Sequence, residues 1–144
     1  SGHPGLSTIH GKSSSKALTR LELFLARAQR GSSRDVLFEQ ISTAVQVVVF
    51  VNICKQTGRR RIFEVKEIGS ASDGALRQRE IFCYEAQNSE PTWKVASKSS
   101  NFRDYLEDGD NPVRLSLLPD RLTLDPNLNY KEASTAHVRR WQVA

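Results

Sequence analysis

Reactive side chains crowd the start of the chain, in Gly2-His3-Pro4-Gly5-Leu6-Ser7-Thr8-Ile9-His10. His3 and His10 could share a metal ion, but no Cys, Asp or Glu between them supplies a third ligand. A Ser–His nucleophile pair needs an orienting acid and an oxyanion hole, and nothing in the segment signals either. A plain loop histidine with its ring in solvent is the bland alternative. The remaining chemistry is contact with phosphate. Glycines let the backbone come close, hydroxyls donate, and an imidazole can meet a charged oxygen. Gly11-Lys12-Ser13 imitates the end of a phosphate loop. The glycine required five positions earlier is absent, because Leu6 stands there, so the match reads as coincidence.

A second group is basic. Arg59, Arg60 and Arg61 follow the turn Gln56-Thr57-Gly58, and Arg77 and Arg79 could extend the same patch. Such a run could touch nucleic acid or acidic lipid, although a solvated hairpin end explains it as simply. Cys54 and Cys83 are too few for a disulfide scaffold and read as buried small hydrophobes. Trp93 and Trp141 read as anchors for the tail, and His137 as a packed or surface histidine.

These groups need elements to position them. Leu6 to Ile9 is β-prone and predicts a brief strand. Serines 13, 14 and 15 offer N-caps to a helix over about 15–29, with Leu18, Leu21, Leu25 and Ala28 on one stripe and Gly31 as its stop. Ser32 with Asp35 resembles a capping box and predicts a second helix over about 34–43, with Leu37, Phe38 and Ile41 inward. The period then changes. Residues 45–51 are almost all β-branched or aromatic, which predicts a strand buried on both faces. Further strands follow over about 60–68 and 75–84, separated by a longer turn at Gly69 to Gly74. The expected architecture is α/β: a strand, two helices and a three-stranded antiparallel meander over residues 1–86. Residues 87–144 are broken by Pro91, Pro112, Pro119 and Pro126 and read as a loop-rich C-terminal extension that packs on the domain or on a neighbour. A closing helix is expected from Tyr130 to Trp141.

Composition sets the outer limits. The chain has 144 residues, 38% hydrophobic and 26% charged, near globular averages, so wholesale disorder is disfavoured. No apolar run nears the roughly 18–20 residues that span a bilayer. No secretory signal opens the chain, and the absence of any Met predicts a piece of something longer. Residues 1–86 carry 13 Lys/Arg against 8 Asp/Glu, whereas residues 87–144 carry 8 of each. The whole basic excess therefore lies in the first part. A merely soluble basic face accounts for it, and a patch for phosphate, nucleic acid or an anionic membrane is the alternative.

Taken together, several segments resemble a family. Gly2-His3-Pro4-Gly5, then Ser7-Thr8-Ile9-His10 and a helix opening Lys16-Ala17-Leu18-Thr19-Arg20-Leu21-Glu22, resembles the histidine box of the type II/IV secretion ATPases. The nearest branch is the one serving conjugal transfer and Tad-type pilus assembly. Ile41 to Phe50 resembles the strand after that box. Arg59 to Ile68 resembles its Gly-Arg-Arg segment ending in Glu-Ile, and Gln78 to Phe82 its last motif. The matches run in the family's order across residues 1–86.

The resemblance implies the C-terminal half of a RecA-like P-loop motor domain. It implies a homo-hexameric ring in the cytoplasm, docked on inner-membrane platform proteins, powering secretion, conjugation or pilus assembly. ATP with Mg²⁺ would lie between neighbours. The same resemblance makes His10 the box residue that senses the nucleotide phosphates, with His3 and Thr8 beside it. The sequence also departs from the family. Gly5 to His10 is one residue short, and Gly11-Lys12-Ser13-Ser14 stands where Ala-Asn-Ser or Ala-Gly-Ser is usual. No Walker A loop and no Walker B acidic pair occurs in these residues, so the chain alone is not expected to hydrolyse ATP. The alternative is a non-enzymatic basic module, a degenerate ATPase-like domain that binds a ring partner or, less favoured, nucleic acid through Arg59, Arg60 and Arg61.

Overall fold

A computed structural model describes residues 5–87, 90–108 and 110–124. Two helices come first, α1 (Ser14–Ala28) and α2 (Arg34–Ala44). Both start on serine caps: the Ser13 hydroxyl accepts from Lys16 N and the Ser33 hydroxyl from Val36 N, satisfying N–H groups that a first turn leaves orphaned. The second cap is Ser33 rather than the expected Ser32. Gly31 stands at φ +92°, a conformation that a side chain at this position would resist, and it turns the chain between the helices.

The expected strand at Leu6 to Ile9 does not form. Residues 5–11 have no regular structure and are exposed. Four β-prone residues hold a strand only with a neighbour to pair with, and no strand of the sheet pairs with them.

The sheet is a five-stranded antiparallel meander in the order β1-β2-β3-β4-β5. Its strands are β1 (Val47–Ile53), β2 (Arg60–Ser72), β3 (Ala75–Gln87), β4 (Glu90–Val95) and β5 (Arg121–Thr123). Between β4 and β5 lie a short helix, α3 (Arg103–Glu107), and a 3-10 turn at Leu115–Leu117. The β2–β3 turn is only Asp73-Gly74, both at positive φ, which matches the twist of a tight hairpin. Gly69 to Ser72 therefore belong to β2 and not to a long turn. Three irregularities bend the sheet: β2 skips Phe63 opposite β1, β3 skips Ile81 opposite β2, and Gly69 and Ser70 of β2 together stand against Arg77 of β3. The meander is thus longer than expected, because the described part of residues 87–144 adds β4 and β5 to its far edge.

The helices cover one face of the sheet. Leu18, Phe38, Ile41 and Ile68 form the buried cluster, with Leu21, Leu25, Val45, Val48 and Leu76 packed against it. The other face is partly covered by the segment after β4. Glu67 is buried there, accepting from Asn101 N at 3.0 Å and from the Ser100 hydroxyl, with Arg79 at 3.8 Å. A row of rings, Phe50, Phe63, Tyr84 and Trp93, crosses four strands with neighbouring centroids 6.3, 4.7 and 5.5 Å apart. Trp93 Nε1 donates to the Ile62 carbonyl at 2.7 Å, so this tryptophan ties β4 to β2 over the intervening strand.

One strand differs from expectation. β1 was expected to be buried on both faces, yet it is the edge strand and Val47, Val49, Val51 and Ile53 are exposed. Helices cover only the side that Val48 faces. The closing helix from Tyr130 to Trp141, with His137, lies outside the described residues, as does His3. No helix among the described residues is long and apolar enough to cross a membrane.

Candidate functional site

Residues 5–12 lead into α1 as an irregular segment, and Thr8 and His10 are both exposed on it. The main chain is held at one point: Arg20 Nη1 reaches the His10 carbonyl at 3.5 Å from the first turns of α1. Gly11 packs tightly against the start of the helix. A Cβ there would lie 3.0 Å from both the Cβ and the backbone nitrogen of Ala17, so the chain's close approach depends on a missing side chain. His10 therefore leaves the body of the protein at a defined place, with its imidazole in solvent and no hydrogen-bond partner among the described residues.

A helix N-terminus beside a Gly-Lys-Ser sequence would ordinarily attract phosphate. Here the end of α1 is already occupied. Glu64 of β2 accepts from Ser14 N at 3.0 Å and from the Ser14 hydroxyl. Lys66 lies 3.8 Å from the same carboxylate and 3.3 Å from the Ser15 hydroxyl, which itself donates to Gln78 at 3.0 Å. An internal anion thus meets the helix dipole, and Gly11-Lys12-Ser13 is not a phosphate cradle. The coincidental match in the sequence carries no site. The described residues fit one contact to a phosphate, through His10, and not its enclosure.

Of the hairpin arginines, Arg60 and Arg61 lie on the strand that carries Glu64, and Arg59 immediately precedes it. A turn closed by Gly58 N to the Cys54 carbonyl (2.8 Å) and Cys54 N to the Arg59 carbonyl (2.9 Å) joins β1 to β2, with Gly58 at φ +67°. Arg59 and Arg60 are exposed and Arg61 is half-buried, and none forms an ion pair among the described residues. At about 3.3 Å per strand residue, Arg61 sits roughly 10 Å along β2 from Glu64. Arg77 and Arg79 are on β3: Arg77 Nε donates to the Ser72 hydroxyl at 2.8 Å, while Arg79 leans on Glu67 and Asn101.

Two open grooves mark the surface. One, about 540 Å³, is lined by Glu67, Gly69, Arg77, Gln78, Arg79 and Asn101 among others, and the other, about 270 Å³, lies between Lys98, Arg103 and Leu115. Neither is lined by Thr8, His10 or the hairpin arginines. No group of three potential metal ligands occurs among the described residues.

The thiols differ from each other. Cys54 is buried at the end of β1, receives a hydrogen bond from the Tyr84 hydroxyl at 3.2 Å and donates to Gln56 Oε1 at 3.0 Å. Hydrogen bonding from the Thr57 hydroxyl first, and then from Tyr84, lowers its pKa to about 7. Cys83, pushed the other way by burial and by neighbouring carboxylates, titrates above its ordinary range. Both were expected to be inert small hydrophobes, and nothing in their spacing signals the polar surroundings of Cys54. Glu64 and Glu67 were likewise absent from the expected site residues; the only sequence signal is that charged side chains, Glu64, Lys66 and Glu67, stand among apolar ones from Ile62 to Ile68.

No family model matches the chain, and no curated protein or solved structure matches it either.

Proposed function

We propose that this chain is the C-terminal part of a secretion-type ATPase motor, in which His10 meets the phosphates of a nucleotide gripped by another stretch of polypeptide. The observation that carries the proposal is the ordered run of family-like segments from Gly2 to Phe82. The exposed setting of His10 at the mouth of α1 supports it, since a sensing imidazole must be reachable. ATP with Mg²⁺ supplies the phosphoryl group when bound. His10 would donate one hydrogen bond to a phosphate oxygen, with Thr8 and His3 on the same segment. A contact made only in the triphosphate state could bias a two-state position by about 1–3 kcal/mol. The motor would be a RecA-like homo-hexamer in the cytoplasm, docked on inner-membrane platform proteins.

The test is nucleotide binding and turnover by this chain and by a chain extended upstream. The 144-residue chain is expected to turn over no ATP, and the extended one to do so at a rate that His10→Ala reduces by an order of magnitude or more. An extended chain without a phosphate loop, or a rate indifferent to His10, overturns the proposal.

A second reading rests on hairpin arginines that form no ion pair among the described residues: a non-enzymatic, degenerate ATPase-like module that holds a ring partner or nucleic acid through Arg59, Arg60 and Arg61. It predicts an association that weakens several-fold as salt rises and that is lost when the three arginines become alanine. Salt-independent association counts against it.

A further inference from the structure

The outer edge of β1 has the composition of a strand that is paired and covered, yet among the described residues nothing pairs with it. From Ile41 to Cys54 the sequence carries no Asp, Glu, Lys, Arg or His. Edge strands are ordinarily blunted by charge, by proline or by brevity. β1 is seven residues long and has none of these devices. Its bulge does not interrupt it, because the skipped residue, Phe63, is on β2 and Val47 to Ile53 are paired one by one.

We infer that β1 is a homotypic docking edge, at which two copies of this chain pair antiparallel across a two-fold axis through Phe50. The exposed side chains determine this choice of occupant. In that register Val47 meets Ile53 and Val49 meets Val51, while Val48 meets Asn52. The exposed set, Val47 at 40%, Val49 at 49%, Val51 at 52% and Ile53 at 52%, maps onto itself. Every pair within the set is β-branched on β-branched, the kind of pair that stabilises antiparallel strands. Ile62, 44% exposed on the neighbouring strand opposite Val51, widens the apolar stripe. No charge within residues 41–54 opposes the approach of a second copy.

The other end of the sheet limits the assembly. Among the described residues β5 is only three residues long and carries Arg121, so it offers no long edge there for head-to-tail growth. Pairing therefore closes at two copies, giving a continuous ten-stranded sheet. A strand-to-strand contact buries less than the roughly 1,600 Å² of a standard interface. The dimer is accordingly concentration-dependent. The inference does not depend on the ATPase reading.

The experiment is light scattering of the 144-residue chain over a wide concentration range, beside amide hydrogen exchange. The expected mass rises to twice the 16.2 kDa of the chain, and amides of residues 47–53 exchange more slowly as concentration rises. Val49→Lys with Val51→Lys is expected to remain monomeric, as is Val49→Glu with Val51→Glu. Mixing the two variants should restore the doubled mass, because opposite charges then face each other across the axis. A monomeric native chain, a dimer that survives both charged pairs, a mixture that stays monomeric, or growth beyond two copies each overturns the inference. Exchange is read on the native chain, so it decides the matter even where a variant fails to fold.

Discussion

The carboxylate of Glu64 accepts from both the backbone nitrogen and the hydroxyl of Ser14, closing the N-terminus of α1 with a residue fifty positions away in the sequence. One side chain thereby fixes where α1 begins relative to β2. It also satisfies a helix end that would otherwise invite a phosphate.

Burial of Glu64 opposes ionisation, but the two hydrogen bonds from Ser14 and the nearby Lys66 outweigh it, so its pKa lies below the usual carboxylate value. A pKa depressed on folding contributes stability above the unfolded value, about 4.3 for Glu, and loses it as pH falls through the lower folded value. Glu64→Gln is expected to cost about 1–2 kcal/mol at neutral pH. Urea melts should show that cost shrinking as the pH is lowered below about 4. A cost that does not change with pH contradicts the assignment.

Glu67 ties down the segment after β4. Glu67→Ala leaves the Asn101 N–H without its acceptor, at a cost of about 1–3 kcal/mol by denaturant midpoint. Faster amide exchange is expected at residues 99–102 in particular, while α1 keeps its native protection. Uniform loss of protection across the chain would mean that Glu67 acts on the whole fold and not on this segment.

Of the two thiols, Cys54 is expected to ionise first, near pH 7. Ultraviolet titration of thiolate should show an early step that Cys54→Ala removes and Cys83→Ala leaves in place. Because the folded pKa is depressed, stability gained from Cys54 is present above its unfolded value, about 8.5, and is lost as pH falls through about 7. Melts of the native chain and of Cys54→Ala should therefore diverge between those limits, with the native chain gaining toward high pH.

His10 and Ile41 separate function from fold. His10 is exposed, and His10→Ala should shift stability by less than about 0.5 kcal/mol. Ile41 is 1% exposed at the centre of the core, and Ile41→Ala should cost about 2–5 kcal/mol. A large effect at His10 in this chain alone would mean that its ring is packed, contrary to the proposed sensing role.

The sequence by itself determined both helices, the three-strand meander and most of their limits. Their signals are local: the spacing of Leu18, Leu21 and Leu25, the serines before each helix, and a run of β-branched residues each name an element type within a short window. It also nominated Thr8, His10 and the hairpin arginines as residues that could carry chemistry, without recording whether they converge. Tertiary structure alone decided that β1 stands at an edge with Val47, Val49 and Val51 bare, that Glu64 rather than a ligand closes α1, and that Cys54 lies beside Tyr84. Each is a contact between distant parts of the chain, and periodicity records which face of an element is apolar without recording what comes to cover it. The same reason accounts for Leu6 to Ile9. Its residues suit a strand, but a strand exists only where another chain segment lies alongside to accept its hydrogen bonds.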